Sequence, residues 1–295
     1  MRYGTLEAGG TKMVLSIGNE NNEILERASI PTRTPDTTIP EMNEWFAARD
    51  ICALGIGSFG PVELDPASPQ YGWINKTPKL EWVNTPLLPR MCEALGVPAL
   101  IDTDVNAAAL AEYELGAARG LRSCLYVTIG TGIGGGAVCE GNLVHGLMHP
   151  EMGHMLLRQE EGDPAPEGFC PYHKGCLEGL ASGPAIEKRW GKSAKELPAG
   201  HPAWDLEARY IAQMCIDVIC TLSPQKIILG GGVMQQKHLF PMIRAIVQEK
   251  LNGYIGREEI LTDIDHYIVE PGLGTASGAV GALLLAKRAL EGVKA

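Results

Sequence analysis

The amino-acid sequence predicts a two-domain α/β protein, and three observations carry that expectation. The chain has 295 residues, enough for two domains with separate cores. Short apolar runs rich in β-branched residues alternate with longer helical patterns along its length. One local design, strand, glycine-rich turn, strand, occurs at the start and again after residue 122, which suggests an internal duplication. The domains are expected at 1–117 and 118–275, with a closing helical segment, 276–295, packing back on the first.

Residues 3–7 and 13–17 read as strands flanking a Gly-Gly turn, with further strands at 24–29 and 51–56. The last of these ends in the loop Gly57-Ser58-Phe59-Gly60-Pro61. Residues 87–95 form a helix, 99–102 a strand and 105–115 an Ala-rich helix with Asp104 placed to cap it. Glycines bracket the boundary at 116–120. The pattern then restarts with strands at 123–129 and 136–139 around a second glycine-rich turn. A Pro- and Gly-rich loop follows at 162–171, then a long helix at 204–222 and a strand at 226–229 that runs into Gly230-Gly231-Gly232. A helix at 239–251, a strand at 267–269 and a helix at 276–290 complete the chain.

Apolar residues make up 45% and charged residues 20%, ordinary values for a soluble protein. The net charge of −10 argues against a nucleic-acid or anionic-membrane partner, but backbone amides can still hold phosphate in an acidic chain. The N-terminus has no signal core and the apolar runs are too short to span a bilayer, so a cytoplasmic protein is expected. Eight cysteines are then unlikely to form disulfides. Cys52, Cys92, Cys124, Cys139, Cys215 and Cys220 sit among apolar neighbours and read as buried small hydrophobes.

Phosphate chemistry is suggested by the two turns. Glu7-Ala8-Gly9-Gly10-Thr11-Lys12 and Gly130-Thr131-Gly132-Ile133-Gly134-Gly135-Gly136 each offer consecutive backbone N–H groups with glycine for close approach. Thr11 and Thr131 add hydroxyls, and Lys12 can offset phosphate charge. Either turn alone would read as an ordinary hairpin. Together with Gly231 and Gly232 they point to nucleotide, and the absence of Gly-x-x-x-x-Gly-Lys-Ser/Thr excludes a P-loop. Asp104 lies where a strand meets a helix, as a general base for an attacking hydroxyl or simply as a helix cap.

The third element is a metal knuckle. His154, Cys170, His173 and Cys176 supply two thiols and two imidazoles, the ligand set of a closed structural zinc site with no position left for chemistry. The bland alternative is two buried cysteines near surface histidines. His145 and His149 are weaker candidates, loop histidines or groups behind the ligands. Glu151 and Glu178 flank the knuckle and could accept hydrogen bonds from sugar hydroxyls on a metal-fixed loop.

Taken together, these motifs resemble the ROK family of bacterial sugar kinases, within the actin-like ATPase superfamily. The resemblance runs from Glu7-Ala8-Gly9-Gly10-Thr11-Lys12 to the glycines after Pro271, and its most specific piece is Glu151-Met152-Gly153-His154 with Cys170 through Glu178. It implies a two-domain ribonuclease H-like fold with a cleft between domains, ATP with magnesium, and a structural zinc. It implies Asp104 as catalytic base, and Glu151, Glu178 and His154 as sugar contacts, His154 doubling as a zinc ligand. Glu7 stands where many members have Asp and would orient a magnesium-bound water. Tyr71 through Lys79, with Thr77-Pro78-Lys79, and Asp102-Thr103-Asp104 are similar to the fructokinase branch; glucokinase-like members usually carry Asn at the position of Thr103. The family's transcriptional repressors carry a helix-turn-helix ahead of the first strand, and this chain starts at the strand.

The expectation is therefore a kinase that phosphorylates the 6-hydroxyl of a hexose, fructose first, assembled as a homodimer. Mannose, glucose or an N-acetylhexosamine are alternative acceptors. A non-catalytic sugar sensor of the same fold is a second class, opposed by Asp104 and the phosphate turns. A zinc hydrolase is a third, opposed by the closed ligand set.

Overall fold

Each glycine-rich hairpin opens a five-stranded sheet in the computed structural model, which describes residues 1–292. In the first sheet β1 (Tyr3–Ala8) and β2 (Lys12–Gly18) pair antiparallel and β3 (Ile24–Pro31) extends the β2 side. Beyond β1 the strands β4 (Ala53–Ser58) and β5 (Ala99–Thr103) add in parallel. The helices α1 (Pro35–Ala47) and α2 (Leu87–Leu95) lie in the crossovers that parallel pairing requires, and α3 (Asp104–Glu114) follows β5 directly.

The second sheet repeats the design. Its hairpin is β6 (Cys124–Ile129) and β7 (Ile133–Cys139), flanked by β8 (Asn142–Leu143) and, in parallel, β9 (Ile227–Gly230) and β10 (Ile268–Val269). The order β3-β2-β1-β4-β5 is matched by β8-β7-β6-β9-β10. The helices here are α4 (Leu177–Ala181), α5 (Gly183–Trp190), α6 (Ala203–Thr221), α7 (Leu239–Leu251), α8 (Glu258–Leu261) and α9 (Ile264–Tyr267); α10 (Ser277–Glu291) ends the described chain.

The chain forms two compact units: Met1–Gly116 with Leu143–Pro150 and the segment from Thr275 onward, and Ala117–Asn142 with Glu151–Gly274. Of the closing segment expected at 276–295, the last three residues lie outside the described residues. In the first unit, Leu6, Leu15, Ile17, Phe46, Ile56 and Trp82 build an apolar core on one face of the sheet. Helix α10 covers the other face through Leu283 and Ala286 against Tyr3 and Ala53. Backbone meets backbone there: a Cβ on Gly55 would lie 1.8 Å from the Ala282 carbonyl oxygen, and one on Gly281 1.9 Å from that of Ala107. In the second unit, Trp204, Tyr210, Ile211 and Met214 of α6 are buried.

Several local expectations need correction. Helix α1 lies between the strands expected at 24–29 and 51–56, where the sequence reading assigns no element; its sequence carries Pro35, Pro40 and two threonines. Pro35 stands in the first turn, where its missing N–H costs nothing. The strand expected at 51–56 is β4, shifted to Ala53–Ser58, because Gly57 and Ser58 continue the ladder opposite Asp102 and Thr103. Residues 134–136, read as turn, belong to β7 and pair with 126–128. Tyr267 ends α9 rather than starting a strand. Of the six cysteines expected to be buried, Cys124 and Cys215 are; Cys52 and Cys92 are half-buried, and Cys139 and Cys220 are exposed, at the last residue of β7 and in the last turn of α6. Among the described residues no helix is long and apolar enough to cross a membrane.

Candidate active site

In the first unit the chemistry collects where β5 becomes α3. Thr103 keeps extended backbone (φ −67°, ψ 154°), and its hydroxyl accepts the Asn106 N–H at 3.1 Å. Thr103 is therefore the N-cap, and the expectation that Asp104 caps the helix is wrong. A side chain already turned into the first helical position cannot reach back to that N–H. Asp104 Oδ1 accepts the neighbouring Val105 N–H, at 2.9 Å. The Asp104 side chain reaches solvent yet is hemmed in by protein. Desolvation pushes its pKa up to about 6; the Val105 N–H opposes the rise and the negative charge of Glu7 adds to it. Gly57 of β4 lets this turn sit close, since a Cβ there would lie 3.3 Å from Asp104 Cα.

Thr103 itself is 4% exposed and its hydroxyl oxygen is engaged in the cap, so its side chain is not presented as an open sugar contact. Behind it, the wholly buried Asp102 accepts from Thr103 N–H and from Asn106 Nδ2, each at 2.7 Å, through Oδ1. His145 Nε2 stands 2.9 Å from the other oxygen, Oδ2.

The turn between β1 and β2 is closed by Gly9 N–H donating to the Lys12 carbonyl at 3.1 Å. Thr32 pins it from β3's end: its hydroxyl donates to the Gly9 carbonyl at 2.7 Å and its N–H to that of Thr11 at 3.0 Å. Gly10 is half-buried, while Thr11 and Lys12 are exposed. Lys79 also lies over this turn, its Cε 3.4 Å from where a Cβ on Gly10 would stand. Neither lysine forms an ion pair among the described residues. Lys79 entered the sequence reading only as part of the Thr77-Pro78-Lys79 pattern, and nothing local could link it to a turn so far away in sequence. Glu7 Oε1 pairs with Arg27 at 3.0 Å, and Oε2 lies beside Gly278 in the first turn of α10. Burial raises the Glu7 pKa, against the pull of Arg27 and Lys12.

In the second unit the glycines of two distant segments adjoin. Gly130 N–H donates to the Gly132 carbonyl at 2.9 Å, and the Gly130 carbonyl accepts from Gly183 at the start of α5 at 2.8 Å. A Cβ on Gly130 would lie 3.7 Å from the Gly232 nitrogen. Gly231 has φ +91°, and a Cβ there would be 2.4 Å from the Ile129 carbonyl oxygen, so only glycine fits. Thr131 and Gly232 are exposed beside this junction. Glu178, in the first turn of α4, accepts the Ile133 N–H at 2.9 Å, tying a carboxylate beside the knuckle to the second glycine-rich turn.

The knuckle brings His154, Cys170, His173 and Cys176 together, their ligand atoms all within 4.8 Å of one another. His154 Nδ1 lies 3.7 Å from Cys176 Sγ and 4.0 Å from Cys170 Sγ, and His173 Nδ1 lies 3.8 Å from Cys170 Sγ. Tetrahedral zinc with ordinary bond lengths separates such S and N atoms by about 3.6 Å. Burial pushes the Cys176 thiol up to about 11, so its thiolate requires an adjacent cation. The residues fit zinc. With Nδ1 of His154 turned to the sulfurs, its Nε2 on the far side of the ring stays available to a second partner. The short 3₁₀ turn Met152–His154 rests directly on β7, where a Cβ on Gly153 would be 1.8 Å from the Ile133 carbonyl oxygen. Below the knuckle Asp163 and Arg189 form a buried ion pair, and Tyr210 donates to Asp163 at 2.6 Å. His145 and His149 stand apart from the cluster, in the first unit; His149 Nε2 accepts the Val62 N–H at 3.1 Å.

Two five-stranded sheets of matching order, each with a glycine-rich turn at its central hairpin, give a two-domain actin-like fold, and the second unit carries a thiol–imidazole knuckle. Residues 3–289 match the model of the ROK family, and the chain belongs to that family of sugar kinases. The fructokinase of Pediococcus pentosaceus is 44% identical over 291 residues, covering 99% of each chain. That of Zymomonas mobilis is 42% identical, covering 96% of each. Among solved structures, the ROK hexokinase of Thermus thermophilus superposes with a TM-score of 0.78 at 28% identity, covering 99% of this chain and 100% of that one.

Proposed function

We propose that this protein is an ATP-dependent fructokinase that transfers the γ-phosphoryl group to the 6-hydroxyl of D-fructose. The observation that carries the reading is the Asp104 carboxylate. It is accessible, free of capping duty and held near a pKa of about 6 at a strand-to-helix junction. Such a group is ionised at neutral pH and still basic enough to take a proton as the hydroxyl attacks phosphorus. Likeness to fructokinases over nearly the whole chain supports fructose as acceptor.

In this reading Gly9, Gly10, Thr11 and Lys12, with Lys79 beside them, and Thr131, Gly132, Gly231 and Gly232 hold the nucleotide. Their backbone N–H groups meet phosphate oxygens and the lysines offset charge. Glu7 would hold a water of the magnesium that accompanies ATP, an ion that would offset charge on the transferring phosphate. Glu151, Glu178 and the Nε2–H of His154 read the sugar hydroxyls. Zinc at His154, Cys170, His173 and Cys176 fixes that loop. Thr103 acts by holding the turn that carries Asp104. The protein works in the cytoplasm as a homodimer.

The test is ADP release with MgATP and fructose, with the product identified by phosphorus NMR. Fructose-dependent ADP and fructose 6-phosphate support the reading. Failure of every hexose to release ADP, with the sugars still bound, favours the non-catalytic sensor.

A further inference from the structure

The Asp102–His145 pair is not used by the chemistry above, yet it adjoins the catalytic turn. Asp102 is wholly buried, and each of its oxygens has a task. Oδ1 accepts from Thr103 N–H and Asn106 Nδ2, both at 2.7 Å, and Oδ2 faces His145 Nε2 at 2.9 Å. Asn106 Nδ2 also lies 3.3 Å from His145 Nε2. Asn106 Oδ1 is buried with no hydrogen-bond partner, so the side chain is held through Nδ2, by Asp102 and beside His145, while its backbone N–H is fixed by the cap. The contacts form a closed circuit: Asp102 to Thr103 and Asn106, Asn106 N–H to Thr103 Oγ1, and His145 closing the far side. Asp104 lies between Thr103 and Asn106 in the chain, so the backbone that carries its carboxylate can shift only if this circuit yields.

His145 comes from the segment Leu143–Pro150, which belongs to the first unit although its flanking residues belong to the second. Glu151 follows that segment immediately. His145 therefore anchors both the turn that bears the base and the segment that leads to a sugar-reading carboxylate. A buried carboxylate without a cationic partner is costly, so the charge on His145 matters as well as its hydrogen bond. His145 and Asp102 also line a cavity of about 430 Å³, together with Glu63, Asp65, Tyr71 and His149.

We propose that His145 is a positioning residue for phosphoryl transfer: as an imidazolium on Asp102 it locks the Thr103–Asn106 turn and so aims the Asp104 carboxylate. This rests on the reading of Asp104 as the base. The hydrogen bond and charge of Asp102 raise the pKa of His145, against partial burial. The lock is thus closed below the His145 value and loosens as pH rises through it. The groups facing His145 that could shift that value are Asp102 on β5, Glu63, Asp65 and Tyr71 across the cavity, and His149 on its own segment. His149 has its pKa lowered by burial and stays neutral.

The experiment follows kcat against pH for wild type, His145→Gln and Asp102→Asn, with the His145 ring titrated by NMR. Glutamine keeps a donor but removes the charge. A misplacement of this kind costs up to about 100-fold, so kcat of His145→Gln should fall about 10- to 100-fold at pH 7. KM for ATP should stay within about twofold, because Lys12, Lys79 and the glycine turns are untouched. Wild type should lose kcat on an alkaline limb that follows the NMR titration of His145, and His145→Gln should lack that limb while keeping the acid limb of Asp104. In Asp102→Asn the ring should titrate at lower pH. Near wild-type kcat in His145→Gln with the alkaline limb intact would overturn the proposal, as would a ring titration that Asp102→Asn leaves unmoved. If Asp104 is not the base, the acid limb survives in Asp104→Asn, whatever His145 does. The two failures are therefore separable.

Discussion

Replacing Asp104 by Asn should nearly abolish turnover while leaving the fold slightly more stable at neutral pH. Asparagine is isosteric and its oxygen can still accept the Val105 N–H, which the carboxylate accepts at 2.9 Å. The Thr103 cap on Asn106 is untouched. Loss of a general base costs about 10²–10⁴-fold in rate, so kcat should fall by that factor with KM for fructose little changed. The pKa of about 6 sets the wild-type pH dependence. About nine-tenths of Asp104 is ionised at pH 7, and kcat should drop about tenfold per unit below pH 6. The raised value also carries a stability sign. A carboxylate whose folded pKa exceeds its unfolded one destabilises the fold increasingly as pH rises from the unfolded value through the folded one. Asp104→Asn should therefore melt with wild type near pH 4 and above it at pH 8. A coupled ADP assay across pH, with melts at both ends, reads all of this. Asp104→Asn with kcat within threefold of wild type, or with the acid limb unchanged, would refute the assignment.

Three further outcomes follow from the same geometry. Gly232→Val should raise KM for ATP with little effect on fructose, because nothing lies within 4 Å of the added Cβ and the fold can tolerate it. Gly132→Val should damage both substrates, since its Cβ would fall 2.8 Å from Glu178 Oε2 and displace the carboxylate; steady-state kinetics that spare fructose would separate Glu178 from the sugar site. Purified protein should hold one zinc per chain by elemental analysis, and chelation should lower activity and melting temperature together while magnesium remains required. Loss of zinc with full activity would remove the knuckle from the function.

Much of the site was legible because its chemistry is local in sequence. Cys170, His173 and Cys176 lie within one loop, and each glycine-rich turn joins adjacent strands, so spacing alone revealed them. The role of Asp104 was legible only as a choice between base and cap. That choice depends on how far β5 keeps its extended backbone, a property of its pairing with β4 across Thr103. Lys79 over Gly10 and His145 on Asp102 could not be read at all, because they join segments that only the tertiary fold brings together. The same reason hid the true extent of β7: glycines at 134–136 look like turn, and become strand because β6 pairs with them and the Met152–His154 turn presses on that sheet. Helix α1 was lost to its two prolines, which weigh against a helix locally, while burial of Ile39, Met42 and Phe46 holds it in place.

The central claim is the reaction itself, and competition between acceptors tests it most directly. At saturating MgATP, kcat/KM is to be compared for fructose, mannose and glucose. A buried polar partner left unmatched costs about 1–3 kcal/mol, so a site built for fructose should prefer it over glucose by about 10- to 100-fold. Mannose should fall between them. A glucose value equal to or above that for fructose would contradict the acceptor assignment, and no turnover with any of the three would contradict the kinase.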